Sequence, residues 1–242
     1  MAVIWSRHHN GKHYEVRSAG LARRLYTDGV LHSAYHPDNA LTGSIWDLLL
    51  LPALFYPRDY FKRVLVLGAG AGAVLHLLNR YLTPQMIIAI DCDAVHLEVA
   101  RRFFDMRYKN VKLIQSDAVY WLQNYTGPLF DLVIEDLFIE ENGLPLRLMH
   151  EDVSWLDSLL ATVAEDGLLV INHGDIAEAR FTRAHLPRQA MLRQFSMPLL
   201  QNRVLAYPAS GKQKVRFEKN IDDLKLSRYV NKYSYRLLKT NA

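Results

Sequence analysis

Cysteine is almost missing from this sequence. Cys92 is the only one in 242 residues, which excludes an internal disulfide and suits a reducing, cytoplasmic location. Long apolar runs are missing too. The longest candidate, Leu48 to Phe55, is interrupted by Pro52 and falls well short of the ~18 residues of a membrane-spanning helix, so no membrane partner is expected. The opening Met1-Ala2-Val3-Ile4-Trp5 lacks the basic segment and apolar stretch of a secretory signal. No histidine lies in a cluster with metal-ligand spacing, so no metal is expected, and there are no internal repeats. Net charge is only +4 but unevenly spread: from Arg203 to Lys239 ten basic residues face three acidic ones. Such a tail reads most simply as a solvated face, and nucleic acid is not expected as a partner.

What the sequence does have is an ordinary globular composition, half of it apolar, enough for one substantial core with a small attached module. Its organising stretch is Val64-Leu65-Val66-Leu67-Gly68-Ala69-Gly70-Ala71-Gly72-Ala73-Val74. The apolar run reads as a buried parallel strand. Glycines then allow a sharp turn and close approach of a ligand, and the following helix would aim its free N–H groups into that turn. A second apolar strand, Met86 to Ile90, ends at Asp91. A carboxylate about 20 residues beyond the glycines suits a ribose. The combination predicts a nucleoside pocket. Gly68, Gly70 and Ala73 also fit the dinucleotide pattern, so a nicotinamide-dependent oxidoreductase is a rival; a third reading gives the glycines a packing role alone.

The rest of the chain sets this pocket in an α/β domain. Residues 1–57 are expected to form a module with a small antiparallel sheet, turning at Thr27-Asp28-Gly29, and a helix opening at Asp38-Asn39. Residues 58–242 are expected to form the nucleoside-binding domain. Strands at Arg63–Leu67, Met86–Ile90, Val111–Gln115, Phe130–Glu135 and Leu168–Asn172 alternate with helices, the rhythm of a doubly wound, mostly parallel sheet. Gly68, Asp91, Asp117 and Asp136 all fall at or just after strand ends, on the edge where ligands bind. Asp136 to Leu146 reads as a loop and residues 175 to about 195 as a helix. Val204–Tyr207 and Lys214–Phe217 read as a closing antiparallel hairpin, and Asp222–Lys239 as a final helix.

With these parts in order, the chain resembles class I S-adenosylmethionine-dependent methyltransferases, and within them the spermidine synthase (polyamine aminopropyltransferase) group. The resemblance rests on Asp28-Gly29-Val30-Leu31, the glycine turn, Ile90-Asp91-Cys92-Asp93, Ser116-Asp117-Ala118 and Phe130 to Asp136. It implies a Rossmann-like fold and S-adenosylmethionine or its decarboxylated form as co-substrate. It also implies a small-molecule acceptor such as an amine, and a homodimer. Carried over by position, it assigns Gly68, Gly70 and Gly72 to the sulfonium arm and ribose, Asp91 to the ribose hydroxyls and Asp117 to the adenine amine. Asp136 would meet the acceptor or the reacting centre. Asp117 has a competing reading as a helix N-cap.

Three positions depart from the aminopropyltransferase pattern. Ala71 stands where the family carries an acid in its glycine turn, Ile139 where it carries a second acid three residues after Asp136, and Ile45-Trp46-Asp47 replaces its acceptor-pocket triplet. Neither alanine nor isoleucine can take a proton or balance an ammonium. The sequence therefore favours methyl transfer, with aminopropyl transfer the alternative. In that alternative Glu140, one residue beyond Ile139, would substitute for the missing acid; otherwise the acids from Glu135 to Glu141 form a solvated loop with Asp136 alone facing the site. A catalytically silent nucleoside-binding module is the remaining rival.

Overall fold

The computed structural model describes residues 1–149, 151–187, 191–210 and 216–240. The chain opens with a four-stranded antiparallel meander, β1 (Ala2–His9), β2 (Lys12–Ala19), β3 (Ala22–Thr27) and β4 (Val30–Tyr35). Asp28 and Gly29 join β3 to β4 with φ values of 47° and 83°, the left-handed pair of a two-residue hairpin. β1 is a strand beyond the expected ones; it is exposed almost throughout and so carries no buried stripe to read. Helix α1 (Ile45–Leu50) starts after Ser44 rather than at Asp38, and runs into a 3-10 turn at Leu51–Phe55.

The central rhythm follows as expected: β5 (Arg63–Leu67), α2 (Ala73–Tyr81), β6 (Met86–Asp91), α3 (Ala94–Phe103), β7 (Val111–Gln115), α4 (Ala118–Gln123) and β8 (Phe130–Glu135). Then come a hairpin of β9 (Phe138–Glu141) and β10 (Leu144–Arg147), helix α5 (Val153–Thr162), β11 (Val163–His173) and α6 (Ile176–His185). The described chain closes with β12 (Met191–Ser196), β13 (Arg203–Pro208), two short helices α7 (Phe217–Asp223) and α8 (Ser227–Val230), and β14 (Ser234–Lys239).

The main sheet has eight strands in the order β14-β12-β13-β11-β8-β5-β6-β7. β11, β8, β5, β6 and β7 are parallel, and β13, β12 and β14 are each antiparallel to their neighbours. β5 is buried on both faces, as a central parallel strand must be. Val64 and Val66 join a core shared with α1, α2, α3 and the N-terminal meander. Leu65 and Leu67 join a second core with α4, α5 and α6. Each such side chain contributes about 1.5–3 kcal/mol by burial.

Three expectations near the C-terminus are corrected. α6 stops at His185, because Leu186 precedes Pro187 and takes an extended conformation; the residues from Met191 form β12 instead of continuing the helix. The closing hairpin is β12 with β13, not Val204–Tyr207 with Lys214–Phe217: Phe217 opens α7, and residues 211–215 lie outside the described ones. The expected helix from Asp222 to Lys239 ends early, and Ser234–Lys239 pairs with β12 as an edge strand.

Candidate active site

The parallel strands place their C-terminal ends on one edge of the sheet. There the protein opens into a cleft of about 410 Å³, within the range of small-molecule sites. Gly68, Gly70, Asp91, Asp117 and Asp136 all line it. Gly72 does not join them. It precedes α2, and a Cβ there would meet Met106 Cε at 2.3 Å.

Gly68 and Gly70 answer to protein as well as to the cleft. Their φ values are +88° and +52°, and a Cβ on Gly68 would stand 2.1 Å from the Asp136 carbonyl oxygen. On Gly70 it would stand 2.8 Å from both the His32 carbonyl oxygen and Ser33 Oγ. The glycines thus let β8 and β4 close around the turn, while their backbone faces the cavity.

Asp91 ends β6 and is held firmly. One oxygen accepts from Gly70 N at 2.7 Å and the other from Asp93 N at 2.9 Å. Burial opposes its ionisation, but buried His96 (Nδ1 at 3.7 Å) and those two N–H groups outweigh it and hold the carboxyl below its usual range. His96 in turn meets Thr27 Oγ1 at 2.8 Å, and Tyr14 donates to Asp93 at 2.7 Å. The N-terminal meander is thereby tied to the ends of β6 and α3. Asp117 caps α4, its Oδ1 accepting from Tyr120 N at 2.8 Å; the capping role is present on a residue that also lines the cleft.

Asp136 follows β8 on the other side of β5. Asn172 at the end of β11 donates to its Oδ1 at 2.7 Å, and Asn202 donates to the side-chain Oδ1 of Asn172 at 3.1 Å. Burial, opposed by Asn172 and reinforced by the negative Asp91, pushes Asp136 up to about 6. A carboxyl that titrates there is ionised at neutral pH yet basic enough to take a proton.

The segment after Asp136 is not a loop but the β9–β10 hairpin, turning at Asn142-Gly143 with φ of 52° and 74°. The Asn-Gly pair was the available signal for it. A buried Arg147–Glu135 ion pair at 2.8 Å fastens the hairpin to the end of β8. Glu140 is correspondingly not solvated. It sits in the cleft wall, paired with Lys12 of β2 and 3.4 Å from His32 of β4. Although burial works against it, these partners push its carboxyl down to about 2. No local pattern announces Lys12 or Asn172; they come from elements far apart in sequence. Ala71 is buried, its N–H donating to Ser33 Oγ at 2.8 Å, and Ile139 lines the cleft. Asp47 is fully buried and accepts from Thr42, Gly43 and Tyr233, which makes it an anchor for the α1 start rather than a cleft acid.

With this geometry in hand, the chain matches the Spermine/spermidine synthase domain over residues 48–220. It belongs to that family. It is 28% identical over 139 residues to Polyamine aminopropyltransferase 2 of Caldanaerobacter subterraneus subsp. tengcongensis, covering 53% of this chain and 42% of that one. Against Polyamine aminopropyltransferase of Mycobacterium tuberculosis it is 28% identical over 180 residues, 71% and 33% of the two chains. An eEF1A lysine and N-terminal methyltransferase homolog of Drosophila pseudoobscura matches at 26% over 123 residues, 48% and 18%. The chain spans less than half the length of these relatives. Among solved structures, a probable spermidine synthase from Corynebacterium glutamicum superposes with a TM-score of 0.74 at 14% identity, over 98% of this chain and 91% of that one. Human methyltransferase-like protein 13 in complex with SAH gives 0.59 at 16% identity, over 76% and 90%. These likenesses fix the fold as that of spermidine synthases and related methyltransferases. The family match and the aminopropyltransferase relatives agree better with the aminopropyl alternative than with the methyl transfer that Ala71 and Ile139 suggested.

Proposed function

We propose that this chain is a spermidine synthase-type transferase that moves an aminopropyl group from decarboxylated S-adenosylmethionine to an amine. The observation that carries the reading is Asp136: a half-buried carboxylate at the end of β8, raised to about 6 and held by Asn172 of the neighbouring β11. In this reading Asp91 holds the ribose hydroxyls. Each of its oxygens already takes one backbone N–H, and a carboxylate offers about four acceptor sites in all, so room remains. Asp117 meets the adenine amine, and the Gly68–Gly70 backbone borders the sulfonium arm. Asp136 accepts a proton from the incoming ammonium. The freed nitrogen lone pair forms the new N–C bond, the C–S bond breaks, and its electrons neutralise the sulfonium as a thioether leaves. Positioning supplies much of the rate, since the sulfonium is already activated.

A second reading, methyl transfer from S-adenosylmethionine, is favoured by one observation: the buried Ala71 offers no carboxylate to a donor ammonium. The test is a product assay with each donor and a panel of amines. Methylthioadenosine together with an aminopropylated amine supports the first reading. S-adenosylhomocysteine with a methylated amine selects the second. Tight NADH binding with neither product overturns both.

A further inference from the structure

We propose that the acceptor is a primary amine with an apolar body and a single positive charge, rather than a diamine or longer polyamine. The inference rests on the alkyl-transfer reading and names its acceptor class. The sheet order divides the cleft. Asp91 and Asp117 lie over β6 and β7, whereas Asp136 lies over β8, next to β11. The apolar lining of the cleft includes Ile45, Trp46, Phe138, Ile139, Leu148 and Leu200, brought by α1, the β9–β10 hairpin with the residue after it, and the β12–β13 connection.

Two positive charges on an acceptor need two anionic partners, because an ammonium moved against apolar side chains without one is strongly disfavoured. Among the described lining residues the acids are Asp91, Asp93, Asp117, Asp136 and Glu140. Asp91 is bound by two backbone N–H groups, and Asp93 caps α3 while accepting from Tyr14. Asp117 caps α4 on the far side of the cleft. Glu140, on the β9–β10 hairpin, is already paired with Lys12 and faces His32. Only Asp136 is left for the acceptor. One carboxylate in an apolar chamber fits one ammonium on an apolar body.

The test compares hexylamine and phenethylamine with putrescine as acceptors for the wild-type chain, using whichever donor gives product. The expected result is a kcat/KM for the better monoamine about tenfold or more above that for putrescine, the scale on which a pocket separates such substrates. A smaller ratio overturns the proposal. If no donor supports turnover, the alkyl-transfer reading has failed on its own account. The same ratio is then read as calorimetric affinity in the presence of methylthioadenosine, and the absence of amine binding also overturns the acceptor assignment. Two variants sharpen it. K12M releases Glu140, and I139D adds a second carboxylate to the wall; at least one should raise putrescine use or binding about tenfold relative to hexylamine. Two folded variants with an unchanged ratio would contradict the charge argument.

Discussion

The two halves of the cleft are built by different means. Over β6 and β7 the carboxylates are finished pieces of local structure: Asp91 is gripped by the glycine turn and by Asp93, and Asp117 caps the helix that follows it. Their partners lie within about one βα unit. Over β8 and β11 the carboxylate that lines the cleft, Asp136, is half-buried at a cost that shows as a raised pKa. The rest of the cleft wall is brought in from β2, β4, α1, the β9–β10 hairpin and the segment before β13. In the proposed reading, the first half holds the donor and the second carries the group that takes the proton. A raised pKa of this kind is characteristic of the group that does chemistry.

The contrast can be broken from the reactive side first. D136N should reduce turnover by about 10²–10⁴-fold, the usual contribution of a positioned base, in steady-state assays. The same variant should melt at a higher temperature at pH 7, since it removes a carboxylate whose ionisation the fold opposes. G68A should be the most damaging backbone change: its Cβ would fall on the Asp136 carbonyl at a left-handed φ, and a loss of about 3–5 kcal/mol in denaturant unfolding is expected. D91N should weaken nucleoside binding by about ten- to a hundredfold, the worth of hydrogen bonds to a charged group.

Smaller effects refine the picture. Asp136 must be ionised to accept a proton, so kcat/KM should fall as pH drops through about 6. Asn172 donates to the ionised form, so N172A should move that limb to higher pH; an unchanged profile would deny Asn172 a positioning role. D117A should cost only about 1 kcal/mol of stability, the value of a cap, with a modest loss of nucleoside affinity.

The same division decides what could be read from the sequence. The β5–α2 turn, Asp91, the Asp117 cap and the central strands follow from contiguous patterns: apolar runs, glycines, and acids at strand ends. What escaped was built by pairing between distant segments. β14 belongs to the sheet because Ser234–Lys239 lies along β12, 38 to 48 residues earlier in the chain, and nothing inside that exposed stretch says so. Lys12 reaches Glu140, and Asn172 reaches Asp136, only after the whole sheet has assembled. Two misses did have local signals: Leu186-Pro187 marked the end of α6, and Asn142-Gly143 marked the hairpin that turns Glu140 into the cleft. Glycine was legible for a partly different reason than expected, since Gly68 and Gly70 are required by neighbouring backbone and side chain as much as by any ligand.

The most direct test of this division of labour is calorimetric titration of wild-type, D91N and D136N protein with methylthioadenosine and S-adenosylhomocysteine at pH 7.5. The account predicts that D91N loses affinity for the better-bound nucleoside by about tenfold or more, while D136N stays within about twofold of wild type. Equal losses in the two variants, or a greater loss in D136N, would contradict it.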